Sequence, residues 1–178
     1  MKAPLVALLT AAAAASGQPV TLLVHDYSGL SGSVLRDTES ETRRILSRAG
    51  FDLRWVVCRG AQQTGGAELC DAAGGPGRFT LRILTRYPGT QNQHGDPLGT
   101  AEIDAYYASL YAAETRRAAE EHGVSFAGLL ACAAVHEVGH LLFGPAHSAA
   151  GIMRGAWDKA VYRDAAQRRL GFTTGAGR

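Results

Sequence analysis

Two histidines four positions apart, with a glutamate directly after the first, are the residues best suited to chemistry. The segment from His136 to His140 reads His-Glu-Val-Gly-His. On an α-helix, side chains at this spacing share one face about 5–6 Å apart, so both imidazoles can reach one zinc ion. Glu137 projects from a neighbouring position, where it can hydrogen-bond a water molecule at the metal and act as a general base. The surrounding stretch is apolar, so without a metal these groups would be buried unpaired, at a cost of about 2 kcal/mol or more each.

A catalytic zinc site needs a third ligand, which must come from further along the chain. No glutamate follows Glu137. Two aspartates, Asp158 and Asp164, remain as acidic candidates, but Asp158 is better explained as a helix N-cap. The remaining candidate is His147, which can approach the metal if the helix stops and the chain turns back. The Gly-Pro pair at 144–145 favours such a turn, and three imidazoles with one water would form an open tetrahedral zinc site.

In this order the residues resemble the metzincin metallopeptidases, whose pattern is H-E-x-x-H-x-x-G-x-x-H followed by a Met-turn. The Gly-Ile-Met segment at 151–153 is similar to that turn. The sequence departs from the pattern by one extra residue between His140 and Gly144. This insertion places the third histidine at +11 from His136 rather than +10. The last turn of the helix can accommodate the extra residue.

The resemblance implies a role for each matching residue. The zinc ligands would be His136, His140 and His147. Glu137 would be the general base that passes its proton to the leaving amine, and Met153 would lie beneath the metal without binding it. Trp157 and Tyr162 are candidate pocket residues, Tyr162 as an oxyanion donor, although core packing explains Trp157 equally well. An edge strand within 98–111 would bind extended substrate by strand addition.

Two functions of different classes account for these residues. The first is a small secreted zinc endopeptidase that hydrolyses peptide bonds with a zinc-activated water and Glu137 as base. The alternative is a catalytically silent, zinc-stabilised binding or regulatory domain with the same ligands, and a hydrolase of non-peptide amides is a third candidate. Glu137 favours an enzyme, because a structural zinc site is usually closed by a fourth protein ligand. The expected partner is a peptide or protein substrate, and the chain is expected to be a monomer.

Length and charge exclude several other classes. The chain has 178 residues, 46% hydrophobic and 19% charged, which suits one globular domain. Its net charge of +2 is too small for the basic surface of a nucleic-acid-binding protein. We identified no apolar run of the roughly 18–20 residues that a membrane span needs, so no span is expected.

The N-terminal residues 1–17 have the pattern of a secretory signal peptide. Lys2 precedes a short apolar stretch, and Ala13 and Ala15 form an A-x-A cleavage site. An Ala-rich N-terminal helix is the alternative interpretation. We therefore expect export by a cleaved signal peptide to the periplasm or the cell exterior, and one catalytic domain over 18–178.

Export would place the three cysteines in an oxidising compartment. Cys58 ends an apparent strand and Cys70 follows in a Gly-rich loop, so this pair is the expected disulfide. Cys132 lies in an apolar helix, where a free cysteine behaves as a small hydrophobe. The sequence leaves the other pairings open.

The elements that must position these residues follow from periodicity, caps and breakers. Strands are predicted at 20–27, 51–58 and 79–85, loops at 59–78 and 87–99, and helices at 34–49, Ala112–His122, Phe126–Phe143 and 158–170. Segment 100–111 fits one or two short strands or an early start of the next helix. We expect an α+β fold, sandwich-like, with a twisted mixed sheet backed by helices; the resemblance adds a central active-site helix, a Met-turn and a C-terminal helix. His25, His94 and His122 have no partner at ligand spacing and are expected not to bind metal.

Overall fold

The structure, a computed structural model, describes residues 17–58, 67–71, 74–89 and 97–173. Residues 1–16 of the predicted signal peptide lie outside the described residues, and Gly17 is described. His94 also lies outside them. The export of the chain and the bounds of its domain therefore stay predictions.

Strands and helices within these ranges follow the predicted order closely. The strands are β1 (Gln18–Asp26), β2 (Phe51–Val57), β3 (Arg78–Leu84), β4 (Gly99–Glu102) and β5 (Tyr107–Tyr111). The helices are α1 (Gly32–Arg48), α2 (Ala67–Cys70), α3 (Ala112–His122), α4 (Phe126–Phe143) and α5 (Lys159–Ala166), with a 3-10 turn at Ile103–Ala105. The predicted α+β class is confirmed, and segment 100–111 contains two strands rather than an early start of α3.

Two predicted elements differ from the structure. The segment predicted as a loop over 59–78 includes the short helix α2 and the start of β3. The last helix, predicted to reach residue 170, ends at Ala166. There Arg168 adopts a left-handed φ of 56°, and the backbone N–H groups of Arg169 and Leu170 both turn back to donate to the carbonyl of Asp164. Such backbone turns leave little trace in the hydrophobic pattern.

The strands form a mixed sheet in the order β2-β1-β3-β5-β4. The first three pairings are parallel, and β4 is antiparallel to β5 at the edge. The parallel β1–β2 pair needs a crossover, which α1 supplies. The register aligns apolar residues across the sheet, as in Leu22 opposite Phe79 and Ile83 opposite Leu110.

Helix α4 is the central element of the core. Ser125 caps its first turn by accepting a hydrogen bond from the Gly128 N–H at 3.1 Å, and α1, α3, α5 and three strands all contact it. In length and composition α4 also meets the requirement for crossing a membrane, but 72% of it is buried inside the domain. A helix in the core of a folded domain has the same composition, so this feature is weak evidence for a span.

The predicted disulfide is present. Cys58, just after β2, is bonded to Cys70 at the end of α2, with the two Cα atoms 5.7 Å apart, a usual separation for this bond. Cys132 is free and buried in α4, as expected, and burial raises the pKa of its thiol to about 12.

A largely buried carboxylate links α1 to the chain after α5. Glu41 is 7% exposed and accepts hydrogen bonds from Arg44 Nε at 2.8 Å and from Arg168 Nε at 2.9 Å. Burial by itself would raise the pKa of Glu41, but the bonds from the two arginines outweigh it and hold that pKa below its usual value. This contact could not be predicted from sequence, because 127 positions separate Glu41 from Arg168.

We expect Glu41→Ala to lower the free energy of unfolding by about 1.5–3 kcal/mol, because hydrogen bonds to charged groups contribute about that much. The matched control is Glu39→Ala on the same helix, whose carboxylate pairs with Arg43 at the surface at 2.9 Å. Exposed pairs at this spacing contribute only about 0.3–0.5 kcal/mol. Urea denaturation of both variants at neutral pH measures the two costs.

The same interaction makes stability depend on pH in one direction. The folded pKa of Glu41 lies below its ordinary value of 4.5, so its contribution is complete above that pH and is lost as the pH falls through the folded value. The stability difference between the protein and its Glu41→Gln variant should therefore shrink in acid. A difference that stayed constant down to about pH 3 would contradict this account.

Candidate metal centre

The end of α4 brings the three histidines together. His136 and His140 lie on one face of the last turns, and the helix continues through Phe143 before Gly144 ends it with a φ of +94°. The Gly144 N–H donates to the carbonyl of His140 at 2.9 Å, which closes the last turn. The extra residue before Gly144 is thus accommodated in the helix, and the chain still returns to place His147 beside the other two.

The three rings form a compact cluster. Their candidate ligand nitrogens all lie within 4.8 Å of one another, and the Nε2 atoms of His136 and His140 are 3.1 Å apart. His140 is only 8% exposed, whereas His147 is open to solvent. The ring of His147 lies against the backbone of Gly155, where an added Cβ would meet it at 3.0 Å.

Backbone carbonyls fix the direction of the two helical imidazoles. His136 Nδ1 is 2.7 Å from the carbonyl oxygen of Ile152, and His140 Nδ1 is 3.1 Å from that of Gly144. A carbonyl only accepts, so each Nδ1 carries the proton and, in a neutral ring, each Nε2 presents a lone pair. Burial lowers the pKa of His136 to about 4, which keeps that ring neutral.

Two lone pairs that face each other at 3.1 Å repel unless a cation lies between them. Zinc–imidazole bonds of about 2.0–2.1 Å at the tetrahedral angle would separate two ligand nitrogens by about 3.3 Å. The observed separation is close to that value, and all three donors are imidazole side chains, which zinc binds in their neutral form. This donor set therefore fits a zinc ion with one coordination position left open.

The two acidic alternatives do not join the cluster. Asp158 is the N-cap of α5, as predicted, and its Oδ1 accepts from the backbone N–H groups of Ala160 and Val161. Asp164 forms an ion pair with Arg169 at 2.8 Å. Within the described ranges, the group of side chains placed to hold a metal consists of the three histidines.

Glu137 is buried beside the cluster, 6% exposed, and burial raises its pKa to about 8. Its carboxylate lies against β4. A Cβ added at Gly99 would be 2.7 Å from Glu137 Cγ and 2.9 Å from its Oε1. Among the described residues, this carboxylate has no hydrogen-bond or ion-pair partner, and its side chain lines the open cleft.

The turn at 151–153, which follows the histidines in sequence, packs against α4. Met153 is 3% exposed, and its sulfur would be 2.3 Å from a Cβ added at Gly139. Gly139 lies inside a helix, where glycine costs about 1 kcal/mol relative to alanine, and the approach of the methionine accounts for it. The neighbouring Ile152 supplies the carbonyl that holds His136.

Several of these contacts are missing from the sequence-based prediction. It did not identify the carbonyl of Ile152, nor Gly99, Gly139 and Gly155. The glycine inside α4 was a usable signal, because an interior helical glycine often marks a close approach. The backbone carbonyls left no signal at all.

The two candidate pocket residues lie beside the cluster and line the cleft. The indole of Trp157 is edge-on to the His136 ring at 5.9 Å between centroids, while the same side chain also packs partly on the core. Tyr162 is edge-on to Trp157 at 6.0 Å and stacks on His122 at 3.8 Å. His122 therefore contacts a pocket residue without joining the metal group, and His25 lies on β1 away from it.

The histidines open into a cleft of about 710 Å³. Its lining includes β4 with the residues just before it, and the segment 154–157 after Met153. Because β4 ends the described sheet, its outer edge has no strand partner in this part of the chain. The predicted edge strand within 98–111 is thus present and lies along the cleft.

Comparisons with known proteins identify the fold. No family model and no curated protein sequence matches the chain. Among solved structures, it is similar to an archaemetzincin from Methanopyrus kandleri, with 15% identity, a TM-score of 0.50, and 86% of this chain and 87% of that chain covered. It is also similar to a zinc-dependent peptidase from Methanocorpusculum labreanum, with 12% identity, a TM-score of 0.55, and 86% and 96% covered. The chain shares the fold of these two structures.

We expect Gly99→Ala to destabilise the protein by about 1–3 kcal/mol, the usual cost of overpacking a filled site. The new methyl group would collide with Glu137 and with the carbonyl of Ser109, 2.9 Å away on β5. Gly75→Ala is the matched control, because an added Cβ there meets nothing within 4 Å. Urea denaturation of the two variants measures the difference, and equal stabilities would mean that Glu137 has room to move.

Proposed function

We propose that this protein is a small secreted zinc-dependent endopeptidase that hydrolyses peptide bonds with Glu137 as general base. The observation that carries the proposal is the pair of imidazole nitrogens held face to face at 3.1 Å, next to a buried carboxylate, in an open cleft. Of the two similar structures described above, one is named an archaemetzincin and the other a zinc-dependent peptidase, and these names support the same chemistry here.

His136, His140 and His147 would hold the zinc ion. When bound, zinc supplies Lewis acidity, which polarises a carbonyl and makes water more acidic. The carbonyls of Ile152 and Gly144 orient the first two rings and, in each neutral ring, hold the proton on Nδ1, so that Nε2 presents its lone pair. Met153 would be the hydrophobic floor beneath the site, the role that a Met-turn methionine has in the metzincin pattern.

Glu137 would transfer a proton from the attacking water to the leaving amine. It would take one proton from the attacking water as the water oxygen bonds to the scissile carbonyl carbon. It would then deliver that proton to the amide nitrogen as the carbon–nitrogen bond breaks. The position of the carboxylate supports this role, because it is buried, has no ion-pair partner among the described side chains and lies next to the histidines on the same helix.

The substrate would lie along β4. An extended peptide can add to the free edge of a strand through backbone hydrogen bonds, with no demand on its sequence. Trp157 and Tyr162 also line this cleft and would form the substrate pocket, with Tyr162 as a candidate oxyanion donor. This arrangement suits a peptide or protein substrate, and the small net charge argues against nucleic acid.

Export is part of the proposal. The signal-peptide pattern of residues 1–17 and the disulfide between Cys58 and Cys70 both favour an oxidising compartment. We propose that the protein works as a monomer in the periplasm or outside the cell.

Zinc should stabilise the metal-free protein against thermal unfolding. At a free zinc concentration of about 100 times the dissociation constant, the gain should be about 2.7 kcal/mol. His140→Ala should abolish it, because one of the two fixed nitrogens is then missing, and His25→Ala is the matched control that should keep it. An undiminished gain in His140→Ala would place the metal elsewhere.

Zinc-loaded protein, residues 18–178, should cleave members of a diverse peptide library. Glu137→Gln should reduce cleavage by at least about 100-fold, the usual contribution of a general base, while zinc still raises its melting temperature. Equal cleavage by both proteins would rule out Glu137 as the base. Zinc binding without cleavage by either protein would favour the zinc-stabilised binding domain.

A further inference from the structure

The cleft has one permanently charged side chain among its described lining residues, and it is Arg154. Glu137 is assigned to proton transfer, and Tyr162 is neutral near pH 7, since burial raises its pKa further. Much of the remaining lining is apolar: Pro97, Leu98, Ala101, Ile103, Ala133 and Ala156. A fixed positive charge in such a lining favours a negatively charged group on whatever occupies the cleft.

Arg154 is held in place before any ligand arrives. Its Nη1 donates to Asp158 Oδ2 at 2.8 Å, while Asp158 Oδ1 is engaged by the N-terminal N–H groups of α5. An arginine fixed in this way gives up less side-chain entropy on binding than a free one.

The charge of Arg154 is only partly satisfied by this pair. The aspartate divides its charge between the guanidinium and the start of α5, and the arginine side chain remains 32% exposed. A guanidinium has five N–H donors, and within the described residues only the contact from Nη1 engages them. The remaining donors match the two oxygens of a carboxylate.

Arg154 is also close to the reacting position. It comes directly after Met153 and directly before Gly155, whose backbone lies against the His147 ring. A group bound by Arg154 would therefore belong to a substrate residue close to the scissile bond.

From these contacts we propose that Arg154 is a specificity-determining residue that binds a carboxylate of the substrate. This inference rests on the proposed peptidase function. The carboxylate has two sources, an aspartate or glutamate side chain near the scissile bond or the free C-terminus of a short peptide. The first would make the protein selective for acidic sequences, and the second would make it trim peptide ends.

The test uses pairs of peptides that differ in one group. One arm exchanges Asp for Asn and Glu for Gln at each position around the cleaved bond. The other exchanges a free C-terminus for its amide. With the zinc-loaded protein we expect kcat/KM to favour the carboxylate member of one arm by about tenfold, the effect of about one charge-assisted hydrogen bond.

Arg154→Gln should bring that ratio close to one. Asp158→Asn is the matched control, since it removes the counter-charge but keeps an oxygen to cap α5, and it should preserve or increase the ratio. A ratio near one in both arms for the unmodified protein would overturn the proposal, as would an unchanged ratio in Arg154→Gln.

A binding measurement separates this inference from the proposed function. The Glu137→Gln variant, loaded with zinc, should bind the carboxylate peptide about tenfold more tightly than its amide partner by calorimetry. Selective binding without any cleavage by the unmodified protein would sustain the carboxylate site and overturn the peptidase. Cleavage by the unmodified protein without preference for the carboxylate peptide would sustain the peptidase and overturn the carboxylate site.

Discussion

The site depends on two hydrogen bonds from imidazoles to backbone carbonyls. Because Ile152 and Gly144 accept the Nδ1–H groups of His136 and His140, both Nε2 lone pairs must point into the same small space. This constraint on the two lone pairs places requirements on the rest of the fold. Helix α4 has to be continuous to its last turn, and the turn at 151–153 has to pack directly beneath it. A site built this way is ordered by the protein itself, so a metal ion would bind with little loss of conformational entropy.

Close packing around this site depends on three glycines, because the absence of a Cβ leaves room for neighbouring side chains. A methyl group at Gly139 would displace Met153, one at Gly99 would displace Glu137, and one at Gly155 would press on His147. In each case a side chain of the candidate site, or one that supports it, occupies the space where a Cβ would be. The position of Glu137, the proposed general base, is therefore limited from the sheet side by β4, the same strand that lines the cleft.

What could be predicted from sequence depended on how local each signal was. The bounds of α3 and α4, the cap at Ser125 and the approach of His147 after Gly144 all follow from spacing and breakers within a few residues. The contact of Glu41 with Arg168 and the carbonyl of Ile152 could not be predicted, because they join distant segments or involve backbone that is the same in every residue. The signal peptide stays a prediction of the same local kind.

Two buried glutamates show how the fold distinguishes structure from chemistry. Glu41 accepts hydrogen bonds from two arginines, and these interactions outweigh the effect of burial and hold its pKa below the usual range. Glu137 is buried to the same extent, yet burial raises its pKa to about 8 with no opposing partner in the described chain. An unpaired buried carboxyl destabilises the folded state, and perturbed groups of this kind concentrate at functional sites. If the burial of Glu137 served folding, a partner like Arg44 or a neutral side chain would serve it better, so its position beside three histidines supports the proton-transfer role proposed for it.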